Sequence, residues 1–312
     1  MSKIALTTCL LLPACAAQAA TTFLYTQPSV DAIAPILINN PSGGPTPNIG
    51  TITTYGIGAT TQVPAWDVSA FTGLQIPAGQ RAVLERTVDA GWLGATAVQA
   101  YQDRIAFQLH TNSSPYVQDR PLKTINFGLD FSDDRLVRPW GGVYGADAKL
   151  CMGFSAAVPS SWSGEGSTNY SGANFSLRDI TSNKWFTIGA ILFSTAPVSE
   201  YVGFDGGTGA TNVPMVATYY GSQELITTSP GSASVRSSIW KDDTWFGYCL
   251  TRQNIEKIVN QVNTNFPGSN FSVANLVLGS AHIGTEIATG TNGLNNGHMA
   301  ARFGGWNILI EH

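Results

Sequence analysis

Between Ser237 and Pro267 the side-chain period changes once, and that change limits what the chain can become. Up to Leu250 the sides alternate. Trp245, Gly247 and Cys249 fall on one side and Phe246, Tyr248 and Leu250 on the other, as in a strand. Lys241-Asp242-Asp243-Thr244 reads as a turn within the aromatic run that begins at Ile239 and Trp240. After Thr251 the spacing is helical. Ile255, Ile258, Val259 and Val262 make an apolar stripe, while Arg252, Gln253, Glu256, Lys257 and Gln261 take the wet face. Thr251 offers the hydroxyl of an N-cap, and Pro267 cannot continue the helix. The remaining sequence is poor in helical pattern. A lone amphipathic helix must cover its stripe, and here the cover is a sheet.

The strand patterns elsewhere are short and separated by turn residues. Phe23 to Tyr25 and Ile36 to Ile38 are candidate edge strands, followed by a Pro- and Gly-rich stretch up to residue 64. Arg81 to Val88, Arg104 to His110 and Thr124 to Phe131 alternate. Residues 149–158 place Cys151, Gly153, Ser155 and Ala157 on one side. Residues 159–183 read as a long polar loop, and Lys184 to Ser194 as a nearly continuous apolar, central strand. Val213 to Tyr220, Phe271 to Ala288 and Arg302 to Glu311 complete the set. No repeat of solenoid or propeller period is present. The expected fold is mainly β: an antiparallel β-sandwich, jelly-roll or concanavalin-like, with one short amphipathic helix packed on it. The expected layout is a signal peptide over 1–19, a lead-in or sheet edge over 20–64, and the sandwich over 65–312, with two β domains as the alternative.

The first residues predict export. Lys3, the apolar run Ile4 to Leu12 and the small-residue site Ala17-Gln18-Ala19 have the order of a secretory signal, and the run is too short to span a bilayer. A lipoprotein signal ending at Cys15 is the less favoured alternative, because Pro13 fits it poorly. The expected location is therefore secreted or periplasmic, with no membrane span. Two of the four cysteines lie in the signal. Cys151 and Cys249 remain, and in an oxidising compartment such a pair is expected to form a disulfide.

Composition narrows the partner. Charged residues are 12% of the chain and the formal net charge is -4, with no clustered Lys or Arg, which argues against nucleic acid. Eight tryptophans and polar loops point instead to a polysaccharide or glycan, because sugar C–H faces stack on indole. Trp140, beside Pro139 and two glycines, and Trp162, in the polar stretch, are the expected exposed pair. Trp185 and Trp306 are expected in the core.

The best candidate for chemistry is the strand Leu276 to Ile287. Simple alternation sends Val277, Gly279, Ala281, Ile283, Thr285 and Ile287 one way, and Leu276, Leu278, Ser280, His282, Gly284 and Glu286 the other. His282 and Glu286 then stand about 13 Å apart at Cα, suited to flanking a shallow groove in acid/base or binding roles. Glycoside hydrolysis needs two carboxylates roughly 5 to 9 Å apart, and no second carboxylate is paired with Glu286 by spacing; Glu200 and Asp205 could reach it only through the fold. Asp133-Asp134 and Asp242-Asp243 read as turn formers, with calcium as a lesser alternative. The four histidines lack zinc spacing, the glycine clusters open no helix, and no nucleophile elbow occurs, so neither a metal nor a cofactor is expected.

Gln108-Leu109-His110 resembles the Gln-x-His strand motif of alginate-lyase-type jelly rolls, and Arg81 to Arg86 resembles their arginine–glutamate strand. The resemblance implies substrate contact at Gln108 and His110. The carboxy-terminal tyrosine-and-lysine strand of that family is missing, since Phe303-Gly304-Gly305-Trp306-Asn307-Ile308 stands there, and the family is not assigned. Two functions are carried forward. One is a secreted carbohydrate-binding or polysaccharide-processing protein, a hydrolase or lyase if it is an enzyme. The other is a non-enzymatic envelope or extracellular adhesin or structural protein.

Overall fold

The computed structural model describes residues 20–26, 131, 137–142, 144–164, 166–204, 213–222, 224–286 and 299–312, and the backbone of further strands within 36–130, of 287–288 and of 297–298. The strands in chain order are β1 Thr21–Thr26, β2 Ile36–Asn40, β3 Ala65–Asp67, β4 Gln80–Glu85, β5 Thr96–Tyr101, β6 Arg104–Thr111, β7 Leu122–Asp130 and β8 Lys149–Ser163. They continue with β9 Thr168–Asp179, β10 Lys184–Ser194, β11 Tyr201–Phe204, β12 Pro214–Tyr219, β13 Thr227–Thr228 and β14 Trp240–Leu250. Helix α1, Arg252–Asn265, then precedes β15 Leu276–Ala288 and β16 Gly297–Glu311.

Among the described residues these strands form two sheets with one helix, a mainly β fold. The nine-stranded sheet runs β13-β14-β8-β16-β6-β5-β4-β2, with β1 also on β16. The seven-stranded sheet runs β11-β12-β10-β9-β15-β7-β3. Most pairs are antiparallel, as expected of the sandwich, and β10–β12 and β4–β5 are parallel.

The core lies between the sheets and is aromatic. Phe154 is fully buried and meets Phe246, Phe303 and Tyr220 at ring separations of 6.3, 5.6 and 6.4 Å. The alternation read around Cys249 is present. Phe246, Tyr248 and Leu250 are buried, and Cys249, Gly247 and Trp245 pair with Cys151, Gly153 and Ser155 on the outer face. Cys151 and Cys249 are joined as a disulfide.

Helix α1 starts where its sequence dictates. The Thr251 hydroxyl accepts from Asn254 N at 3.1 Å, and Asn254 Oδ1 accepts from Thr251 N in return, so two of the free N–H groups of the first turn are satisfied. Ile255, Ile258, Val259 and Val262 are buried, and the helix packs against β11, β12 and β14. Asn263 closes its far end by a two-way bond to the backbone of Phe271, whose ring meets Phe186 at 4.8 Å.

Three local expectations are corrected. Residues 159–183 are not a loop: β8 reaches Ser163 and β9 begins at Thr168. Small polar residues cover the outer face of β9, while Ala173, Phe175 and Leu177 line its inner face. Lys241 to Thr244 lie inside β14, where the register shift between Trp240 and Thr244 absorbs them as a bulge instead of a turn. In β15 the shift between Leu278 and Ser280 reverses the alternation, so Leu276 and Leu278 join Ala281 and Ile283 in the core. The signal stretch and Cys15 lie outside the described residues.

Candidate binding site

The outer face of the seven-stranded sheet carries the candidate site. Along β9 half-buried residues face outward and buried ones inward. Beyond the bulge, β15 turns Ser280, His282, Gly284 and Glu286 to this outer face. His282 stands opposite Asn174 of β9 on one side and Gly128 of β7 on the other. Asn174 stands opposite Gly189 of β10, and Gly284 stands opposite Gly172. The His282–Asn174 pair is thus set among four glycine positions. That bed needs the missing side chain at Gly189, where a Cβ would lie 2.8 Å from Asn174 Oδ1.

Asn174 Nδ2 lies 2.9 Å from His282 Nε2. An amide nitrogen only donates, so Nε2 accepts and the ring proton sits on Nδ1. Burial among the strands pushes the imidazole down to about 4, although the residue as a whole is only half-buried, and the ring is neutral at physiological pH. The pair therefore offers an N–H donor and an amide carbonyl acceptor without charge, the complement of a hydroxyl that both accepts and donates.

Toward one end of the face stand Glu286 and its register partner Tyr170. Toward the other lie Arg178 and Trp185, the guanidinium 5.5 Å from the indole centroid. Trp185 reaches over Gly279, where a Cβ would meet its ring at 2.0 Å, so it is half-buried on this face and not in the core as expected. From Tyr170 to Arg178 the face measures about 26 Å along β9. Trp185 also borders an open groove of about 620 Å³, walled by Phe204, Phe266, Phe271, Pro214 and Lys184.

The predicted site residues fall in several places. His282 and Glu286 share the outer face of β15, four residues apart. Glu200 is not beside Glu286: it accepts from Thr218 Oγ1 at 2.9 Å and from Ser222, at β12, with β10 and β9 between it and β15. Among the described side chains, no second carboxylate joins Glu286 on this face. Asp205 lies outside the described residues, as do the side chains of Gln108 and His110; the backbone of β6 puts these two in the other sheet, opposite Ala300 and His298. Trp140 is buried at 2% exposure, which corrects the expected surface role. The turn around it is packed: Arg138 and Arg252 donate to Ala274 O and Trp140 O, and Gly141 lies against the backbone of Ala274. Trp162 is exposed at 54%, but on the nine-stranded sheet. Asp243 is held by Arg302, an ion pair in place of a calcium turn. Sequence reading missed Asn174, whose partner is 108 residues away.

No family model matches the sequence, and a search of curated proteins finds no match. Solved structures with some similarity include the family 11 xylanase from Neocallimastix patriciarum, at 8% identity and TM-score 0.41, covering 88% of this chain and 99% of that one. The xyloglucanase domain of NopAA, a type three effector from Sinorhizobium fredii in complex with cellobiose, aligns at 11% identity and TM-score 0.39, over 84% of this chain and 99% of that one. A family 12 xyloglucanase from Bacillus licheniformis aligns at 12% identity and TM-score 0.32, over 93% and 99%. At such scores they identify neither the family nor the substrate of this chain.

Proposed function

We propose that this chain is an exported polysaccharide-binding β-sandwich that receives a glycan along the outer face of its seven-stranded sheet. The observation that carries this reading is the neutral Asn174–His282 pair standing in a bed of glycines, with Trp185 toward one end. Sugar hydroxyls match a paired donor and acceptor, and sugar C–H faces match indole. The signal-like first nineteen residues and the disulfide fit a secreted or periplasmic site. Among the described residues no helix is long and apolar enough to cross a membrane. Binding leads over processing in this reading, because Asn174, His282 and Trp185 offer hydrogen-bonding and stacking groups along one face.

A glycan array, followed by affinity electrophoresis on plant, algal and bacterial polymers, tests the reading. We expect retention on at least one polymer, weakened roughly tenfold by His282→Ala or Asn174→Ala, the loss of a hydrogen-bonded contact. Reducing-sugar and unsaturated-product assays report processing. No retention and no product on any polymer removes this proposal. The adhesin or assembly reading then gains, supported by the edge strand β11 with exposed Tyr201 and Phe204.

A further inference from the structure

The opposite face of the sandwich carries two exposed tryptophans, Trp245 at 39% and Trp162 at 54%. Their placement follows from the register. Trp245 shares the outer side of β14 with Gly247 and Cys249, while Phe246 and Tyr248 fill the core. Ser161 turns inward to accept from Asn169, a buried side chain, so its neighbour Trp162 turns outward.

Trp245 lies flat. Gly247 and Gly153 are register partners on adjacent strands. A Cβ on Gly153 would come 2.6 Å from Cη2 and Cζ2 of the indole, and one on Gly247 would come 3.1 Å from its Nε1. The ring thus spans the glycine pair, with its pyrrole edge over β14 and its benzo edge over β8. One ring face rests on the sheet and the other is open to solvent. Polar groups stand at both ends: Asn307 Oδ1 lies 3.2 Å from the Gly153 Cβ position and Ser229 Oγ 2.8 Å from that of Gly247. Asn307 Nδ2 donates to Gly305 O, which turns its oxygen toward the ring.

We propose that this face is a second glycan-binding surface, taking an extended, uncharged polysaccharide across Trp245 and Trp162. Trp245 pairs with Ser155, seven residues before Trp162 on β8, so the backbone positions of the two tryptophans are about 23 Å apart. Between them stands Arg302, whose charge is met by Asp243 at 2.8 Å. A protein interface wants one contiguous apolar patch, whereas two separate exposed indoles with charge-balanced polar ground between them suit a polymer that repeats its sugar. The bulge carries Lys241, Asp242 and Asp243 beside Arg302, two charges of each sign, so it makes no net cationic patch for a polyuronate.

The test uses the full chain in affinity electrophoresis, with neutral glucans, xylans and mannans against pectate and alginate, in a His282→Ala/Asn174→Ala background that silences the first face. Retention on a neutral polymer is expected to survive in that background and to be insensitive to added salt. Trp245→Ala and Trp162→Ala are each expected to weaken it roughly tenfold, and the double variant to abolish it. Trp245→Phe keeps a ring and is expected to retain most of the binding. Gly153→Ala keeps the indole but lifts it from the sheet, and is expected to lose about as much as Trp245→Ala. An unchanged thermal midpoint separates lost binding from lost fold. The proposal is overturned if the background variant binds no neutral polymer, if the tryptophan variants bind as it does, or if only polyuronates are retained. Failure of the first face alone appears as wild-type retention lost on Trp245→Ala/Trp162→Ala and untouched by His282→Ala/Asn174→Ala.

Discussion

The Asn174 amide donates to His282 Nε2 across the β9–β15 ladder, and this bond belongs to the uncharged imidazole. Burial holds that ring down to about 4, against an ordinary value of 6.5. Between these values the unfolded chain carries a proton that the folded chain refuses. The neutral ring's contribution is therefore complete above about pH 6.5, declines as pH falls, and is gone below about pH 4. We expect the His282 ring resonances to titrate near 4 by NMR, and His282→Gln to flatten the stability curve between these limits. A midpoint near 6.5 would refute the buried-imidazole reading.

Asp179 ties the turn after β9 to the segment ahead of β15. Its Oδ1 accepts from Thr181 N and Ser182 N at 2.9 Å, and its Oδ2 accepts from Ser272 N at 3.0 Å, ahead of β15. Burial pushes this carboxyl up, but the backbone donors of Ser182, Ser272 and Thr181 outweigh it, and the group titrates below 3.8. Its stabilisation is full above the unfolded value and is lost as pH falls through the lower folded one. Asp179→Ala leaves three backbone donors without their acceptor and is expected to cost about 2 to 3 kcal/mol in urea unfolding at neutral pH. Asp179→Asn keeps one oxygen and costs less. Equal midpoints for all three chains would show that the bonds contribute nothing.

The Cys151–Cys249 bridge closes a separation of 98 residues. Chain entropy assigns such a loop a stabilisation on the order of 4 kcal/mol. We expect no free thiol by mass spectrometry of the protein isolated without reductant. A Cys151→Ala/Cys249→Ala chain should unfold at lower denaturant by roughly that amount while keeping its β-sheet circular dichroism. Two alkylatable thiols in that protein would contradict the bridge.

What the residues announced in advance was the part governed by neighbours in sequence. The stripe from Ile255 to Val262 with Thr251 ahead of it had to be a helix, and the sides of Cys151 and Cys249 were legible from alternation alone. The bulge at Gly279 was not, because one inserted residue leaves composition unchanged yet reverses every side chain beyond it. β9 was read as loop for a related reason: Thr168, Asn174 and Ser176 are turn formers by type, and only Phe175 and Leu177 hint at an inner face. Trp140 looked exposed beside Pro139 and Gly141, but the fold takes it into the core, with Arg252 bonded to its carbonyl and Gly141 against the backbone of Ala274. Asn174 carried no local signal, since its role exists only once β15 lies beside β9.

Strand β16 is wedged between neighbours made much earlier. β8 runs along one of its edges, while β6 takes the first half of the other and β1 the second. Until it arrives, those three strands have no partner on that side, so the larger sheet closes by an insertion and not by growth from an edge. Long-range closure of this kind is slow and leaves open ladders in the interim. The larger sheet therefore has no continuous hydrogen-bonded ladder from β8 across to β6 and β1 until β16 is in place.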